Sequence, residues 1–381
     1  MNSGYRYPLA HVNYDIREID AVVKILRDGQ TTCGPQVQAF EQSFAKYVGA
    51  DHATMVNSGS SADLLVAFGL GEPDDRDEIL VPAVTWPTQI WSCLMAGYKV
   101  RLIDVSVDTL QMDLIDLRRH LSDKTRAIFL THLMGNVGDI EQIDQIRDEH
   151  GNVDIIEDCC EALGARFDGR HVGNLGKASA FSFFFSHLIN TMEGGMVVCN
   201  TAEDDQNYRL LRSHGWQPQP DCKFWFPTWG FNIRPTEVQG AFGVIQMTKL
   251  EQFRKHRNHN ATFLDSMIKG KFNKYLQTMC ILPNVEPSWH GFPILIKNAD
   301  SAEKDRLCAY LEKNGIETRP IVAGNISRQV AVRKFAQDRI HYGHLPGADI
   351  IHNQGFYIGV ASFEDNSGVS YVMDVLDRYD W

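Results

Sequence analysis

Five short apolar runs recur through the first 160 residues, and they constrain the fold more than any other feature: "ATMVN" from Ala53, "EILVP" from Glu78, "KVRLID" from Lys99, "RAIFLTH" from Arg126 and "VDIIED" from Val153. Each is short and rich in aliphatic, β-branched or aromatic residues, the pattern of a strand buried on both faces. Between them lie segments of helical period. In "DIEQIDQIRDEHG", Ile140, Ile143 and Ile146 recur every third residue and Gly151 ends the pattern. Alternating strands and helices predict an α/β fold with a largely parallel sheet covered on both sides.

"SAFSFFF" and "GGMVVC" read as two more strands, and a long helical region follows Pro235. These complete a large domain expected over residues 1–255. The pattern then changes. A strand-like "WHGFPILIK", a helix "SAEKDRLCAYLEKNG" closed by Asn314-Gly315 and a strand "IETRPIVAG" predict a smaller α+β domain over 256–381.

The chain carries 37 Lys and Arg against 48 Asp and Glu, a net charge of −11 that repels nucleic acid and anionic membranes. Neither is expected as a partner, and any phosphate must be held locally. The opening "MNSGYRYPLA" lacks a basic run followed by an apolar one, and no stretch approaches the ~18 apolar residues of a membrane span. A cytoplasmic protein is expected. Eight cysteines are scattered without C-x-x-C pairs, so buried thiols are expected and no metal site.

Ligands of an open parallel sheet sit beyond the carboxyl ends of its strands, so the residues just after each strand are the candidates. "NSGSSADLL" from Asn57 places Gly59, Ser60 and Ser61 at a helix N-terminus, with Leu64, Ala67 and Phe68 on one face. Free N–H groups and the helix dipole favour a phosphate there. On this stretch alone, a Ser-rich helix cap is the simpler reading. Asp158 ends "VDIIED", where a desolvated carboxylate needs a cationic or hydrogen-bonding partner; a pyridinium N–H and a cap on the next turn both qualify. Trp86 in "VPAVTWPTQ" is placed to stack on a flat cofactor, or to serve as a core tryptophan.

The ordered set "NSGSSA", "VPAVTW", "IIEDCCEALGA", "FSFFFSH.....EGG" and "GFNIRPTEVQGAFG", with "GQTTCGPQVQAFEQSFAKYVGA" near the start, resembles the DegT/StrS-type nucleotide-sugar aminotransferases over nearly the whole chain. The resemblance implies the type I aspartate-aminotransferase fold and pyridoxal 5'-phosphate (PLP), cycling with pyridoxamine 5'-phosphate (PMP). By the same resemblance Gly59, Ser60 and Ser182 are phosphate ligands, Trp86 stacks on the ring, and Asp158 pairs with the ring nitrogen. Asn232 in "GFNIRP" resembles the asparagine that reaches the phosphate from the neighbouring subunit, which implies a homodimer with shared active sites.

One position departs from the pattern. The fifth residue after Ser182 is His187, where ordinary members carry the lysine that binds the cofactor covalently. Imidazole cannot form that imine, so the cofactor is expected to be held non-covalently, with His187 retaining proton transfer. A packed core histidine in a decayed enzyme is the bland alternative. The His-bearing branches of the family remove the 3-hydroxyl of a 4-keto-6-deoxy nucleotide sugar. One needs an iron–sulfur cluster with a C-x-C pair, which this chain lacks.

"RSHGW" and "GIETRPIVAGN" resemble the other branch, which uses only PLP and L-glutamate as amino donor and acts on GDP-4-keto-6-deoxymannose on the way to dideoxy sugars such as colitose. His214 and Arg319 in those stretches are further candidates for substrate or glutamate, against a structural histidine and a salt bridge. Two rivals stay open: an aminotransferase using a displaced lysine such as Lys177, and a non-catalytic sensor that keeps the fold.

Overall fold

A computed structural model describes residues 4–151, 153–335 and 338–381; the first three residues of the "MNSGYRYPLA" stretch lie outside it. Its main sheet contains β1 (His52–Val56), β2 (Glu78–Pro82), β3 (Lys99–Ile103), β4 (Thr125–Thr131), β5 (Asp154–Asp158), β6 (Ala178–Ser182), β7 (Gly195–Cys199) and β8 (Ile340–His341). The order across the sheet is β1-β7-β6-β5-β4-β2-β3-β8. All neighbours are parallel except β7, which runs against both β1 and β6. The expected α/β architecture with a largely parallel, mixed sheet is thus observed.

The continuous apolar runs have a direct cause. Along β2, Ile79 and Val81 enter one core while Leu80 enters the other, so both faces need aliphatic side chains. Helix Gly59–Phe68 packs between helix Pro87–Met95 and strands β6 and β7. It is therefore enclosed on more than one side: Ala62, Leu65, Val66 and Ala67 are buried, whereas Leu64 and Phe68 of the expected face are only half-buried. Helix Ile140–Asp148 buries Ile140, Ile143 and Ile146 as their spacing requires.

The run "SAFSFFF" behaves differently from a simple strand. Pairing stops at Ser182; Phe183 stays buried, its N–H bonded to Gly194 O, while Phe184 and Phe185 leave the sheet and are exposed. The smaller sheet is antiparallel, in the order Leu276–Thr278, Phe292–Ile296, Gly355–Ile358, Thr318–Pro320. Helix Leu250–Lys271 runs unbroken through residues 255 and 256, and β8 returns from the C-terminal region to pair with β3. Among the described residues no helix is long and apolar enough to cross a membrane, and the cysteines are free thiols.

Candidate active site

The register of the sheet gathers the candidates at one edge. Val56 pairs with Gly195, Gly195 with Ser182, and Asp158 with Ala180. The start of β7 and the ends of β1, β5 and β6 therefore meet. Directly beyond β1, Ser58 caps helix Gly59–Phe68 by accepting from Ser61 N. A Cβ on Gly59 would lie 2.6 Å from Ser182 Cβ and 2.9 Å from Ser182 Oγ, and one on Gly195 would lie 2.2 Å from Ser58 O. Only glycines allow these three segments to close into a cradle of backbone N–H and hydroxyl groups at a helix N-terminus, which suits a phosphate. Close approach, rather than a tight turn, accounts for Gly195. Ser60 is exposed on the same first turn.

Asp158 is buried and pairs with Ala180, on the strand whose last residue, Ser182, lines this cradle. Its Oδ1 accepts from Cys160 N at 2.8 Å and its Oδ2 from Gln89 Nε2 at 2.5 Å. Gln89 is itself held through Oε1 by the hydroxyls of Thr85 and of Thr131, the latter at 2.9 Å. Burial raises Asp158 above the ordinary carboxylate range, and the Cys160 N–H and Gln89 bonds pull it back. No lysine or arginine pairs with it among the described residues. The adjacent Glu157 is fully used structurally: it accepts from the Gly173, Leu175 and Gly176 N–H groups and meets His132 Nε2 at 3.0 Å. Trp86 rides on the segment that carries Thr85 and Gln89 and is 55% exposed, a large aromatic left without a cover. Cradle, exposed aromatic and uncompensated acid fit a phosphorylated pyridine.

His187 lines a cavity with Cys160, Glu161, Ser182, Arg257 and His290. Its backbone N–H bonds Phe184 O at 2.9 Å, and its Nδ1 is buried without a partner. The His187 and His290 rings meet edge to face, centroids 5.0 Å apart. Burial, then the Arg257 charge, lowers the His187 pKa to about 4, so the imidazole is a neutral base at pH 7. Arg257 is buried, bonded to Ser362 Oγ and to the carbonyls of Trp289 and His290, and desolvation lowers its pKa to about 10. It has no carboxylate partner among the described residues. Burial pushes Glu161 up to about 7.

A pH effect follows from this burial. The folded His187 pKa lies below the unfolded value of 6.5, so its contribution to stability is complete above about pH 6.5 and is lost as pH falls towards 4. That loss amounts to about 3 kcal/mol. His187→Asn therefore flattens the fall in Tm of the cofactor-free protein between pH 7 and 4.5, a difference that calorimetry reads directly; parallel curves would contradict a buried neutral imidazole.

The remaining candidates lie apart from the cavity. Asn232 is exposed, its backbone bridged to Ser213, and its side chain makes no hydrogen bond among the described residues. Next to it, Ile233 O accepts from Asn57 N, which ties this segment to the phosphate turn. His214 is exposed at a positive φ of 65°. Arg319 is exposed and ion-paired with Glu317 at 3.2 Å, the structural bridge weighed from the sequence. Lys177 precedes β6 at the opposite end of the sheet, 3.5 Å from Asp204. Sequence reading missed Gln89, Arg257, Glu161 and His290. Gln89 and Glu161 carried a signal, since they follow the carboxyl ends of β2 and β5.

Fold and site together define a protein of aminotransferase architecture with a histidine, His187, five residues beyond Ser182 and lining the same cavity. A model of the DegT/DnrJ/EryC1/StrS aminotransferase family matches residues 13–377, and the chain belongs to that family. It is 33% identical to a GDP-4-keto-6-deoxy-D-mannose 3-dehydratase of Yersinia pseudotuberculosis, with 98% of each chain covered. It is 35% identical to the enzyme of the same name from Escherichia coli O55:H7, covering 97% of this chain and 99% of the other. Among solved structures, a GDP-4-keto-6-deoxymannose-3-dehydratase with a trapped PLP-glutamate geminal diamine superposes with a TM-score of 0.90 at 31% identity, over 97% of this chain and all of the other.

Proposed function

We propose that the protein is a PLP/PMP- and glutamate-dependent C3-dehydratase of a 4-keto-6-deoxy nucleotide sugar, with GDP-4-keto-6-deoxymannose as substrate. The observation that carries this reading is His187: a neutral imidazole, not an amine, lines the cavity beside Ser182 while the cofactor cradle is retained. One sugar and one glutamate give the 3,6-dideoxy-4-keto sugar, 2-oxoglutarate and ammonia, which balances. Full-length likeness to enzymes of that name supports the substrate.

When bound, the cofactor supplies a protonated ring that accepts the electrons released as its C4′ carbon loses a proton. The chain does the rest. Gly59, Ser60 and Ser182 hold the phosphate, Trp86 covers one ring face, and Asp158, oriented by Gln89, holds the ring-nitrogen proton. His187 would serve as the base for the C4′ proton and as the acid for the departing C3 hydroxyl. With no amine at this position, the cofactor is not captured covalently and the product leaves without an amino group. Arg257, a buried cation without a carboxylate partner, suits a carboxylate of the amino donor.

We also propose a homodimer, with Asn232 completing the partner's phosphate site. Trp216, Phe224, Trp225, Phe226 and Trp229 are all exposed in the segment leading to Asn232, a local run of uncovered aromatic side chains that suits an interface. Sedimentation at micromolar concentration should give twice the chain mass. Free thiols support a cytoplasmic setting. The direct test is incubation with PLP, L-glutamate and GDP-4-keto-6-deoxymannose. A sugar lighter by one oxygen, with ammonia released, is expected; an amino sugar without ammonia overturns the reading. Borohydride should leave PLP unattached to the wild type and fix it to His187→Lys.

A further inference from the structure

Helix Gly59–Phe68 supplies Gly59 to the phosphate cradle and, one turn further in, carries Asp63, which is 2% exposed. Asp63 Oδ2 accepts from Thr88 Oγ1 at 2.8 Å; Oδ1 is buried without a hydrogen-bond partner. Carboxylate oxygens of Asp63 and Asp158 and the Cys160 sulfur lie within 4.8 Å of one another. The other titratable groups facing Asp63 are the thiols of Cys93, on helix Pro87–Met95, and of Cys159. None of these is a cation.

Two buried carboxylates within 4.8 Å of each other oppose each other's ionisation, and no lysine or arginine pairs with either among the described residues; His132 favours the charged form of Asp158 and not that of Asp63. The hydrogen bonds decide which one keeps the proton. Asp158 receives two N–H donors, from Gln89 and from the Cys160 backbone, and both favour its charged form. Asp63 receives a single hydroxyl. Its unpartnered Oδ1 is costly as an anion's oxygen and much less so as part of a neutral acid.

We propose that Asp63 is a positioning residue, a neutral carboxylic acid that holds the one proton of the Asp63–Asp158 pair and leaves Asp158 alone to carry the charge facing the ring nitrogen. This rests on the reading of Asp158 given above. The pair carries a single charge through neutral pH, which the pyridinium offsets. Burial and the neighbouring Asp158 charge hold Asp63 well above the usual carboxylate range. Release places a second negative charge behind the ring, binds the ring proton more tightly and alters the cofactor's visible spectrum.

The test uses infrared spectroscopy and absorbance titration of the PLP-loaded protein and of Asp63→Asn, whose amide mimics the neutral acid. The wild type at pH 7 should give a carboxylic-acid C=O band that shifts on aspartate ¹³C labelling and in D₂O and is missing in Asp63→Asn. The alkaline inflection of the cofactor absorbance should vanish in the variant, while PLP affinity stays within about threefold. Absence of the band in the wild type, its persistence in Asp63→Asn, or superimposable titrations would overturn the proposal. If Asp63→Asn does not fold, absence of the isotope-shifted band in the wild type still overturns the proposal, and its persistence in Asp158→Asn still assigns it to Asp63. If the protein takes up no PLP, the dehydratase reading falls, yet the same band in the cofactor-free protein still reports the shared proton.

Discussion

Replacing His187 by asparagine lowers turnover about 10²- to 10⁴-fold and leaves cofactor binding nearly unchanged. That range is what a positioned general acid–base group contributes. On the proposed reading the phosphate cradle, Trp86 and Asp158 hold the cofactor, so absorbance of the bound cofactor should persist in the variant. Asparagine is close in size to imidazole and lines the same cavity without a titratable nitrogen. Because His187 is neutral down to about pH 4, the wild-type rate of sugar dehydration should not fall with a histidine pKa of 6.5 on acidification. Stopped-flow measurement of the single-turnover step against pH reads this directly. A variant that keeps more than a tenth of wild-type activity would remove His187 from the proton-transfer role, and attention would turn to His290 and Glu161 in the same cavity.

The second large effect splits in sign between two measurements. Asp158→Asn weakens PLP binding by roughly 10- to 150-fold, since a hydrogen bond to a charged group contributes about 1.5–3 kcal/mol. The same substitution leaves the Tm of the cofactor-free protein unchanged or raises it. Asp158 is a buried carboxylate with no lysine or arginine beside it among the described residues, so a neutral amide of the same shape sheds its desolvation cost. Fluorescence titration with PLP and calorimetry separate the two effects. A fall in both quantities would mean that Asp158 is chiefly a structural residue held in the Gln89 and Cys160 bonds, and the ring-nitrogen assignment would fail.

Much of this architecture was legible because strands buried on both faces leave an unmistakable mark. Five aliphatic runs ended where β1 to β5 end, within a residue or so, and Asp158 and the Gly59 turn stood at those ends. His187 was legible by counting from Ser182, since the segment between them is short and local. Elsewhere residue type misled. Phe183, Phe184 and Phe185 extend the β6 pattern, yet the chain turns out at Ser182 to present His187 to the cavity. Arg257 sits in the polar stretch "RKHRNHN", which carries no apolar mark of burial, yet helix Leu250–Lys271 buries it against the Trp289 and His290 carbonyls.

The sequence by itself determined the succession of strands and helices and the chemical kinds at their ends, including the exchange of an amine for an imidazole. Periodicity and residue identity are local properties, readable along one dimension. Only the tertiary structure decided which groups stand within bonding reach: Gln89 on Asp158 across 69 positions, Asp63 behind Asp158, and Arg257 and His290 around His187. Those contacts depend on strand order, on the reversal of β7 and on how the smaller sheet packs against the larger one. They arise from the burial of many side chains at once, so no single stretch of sequence encodes them.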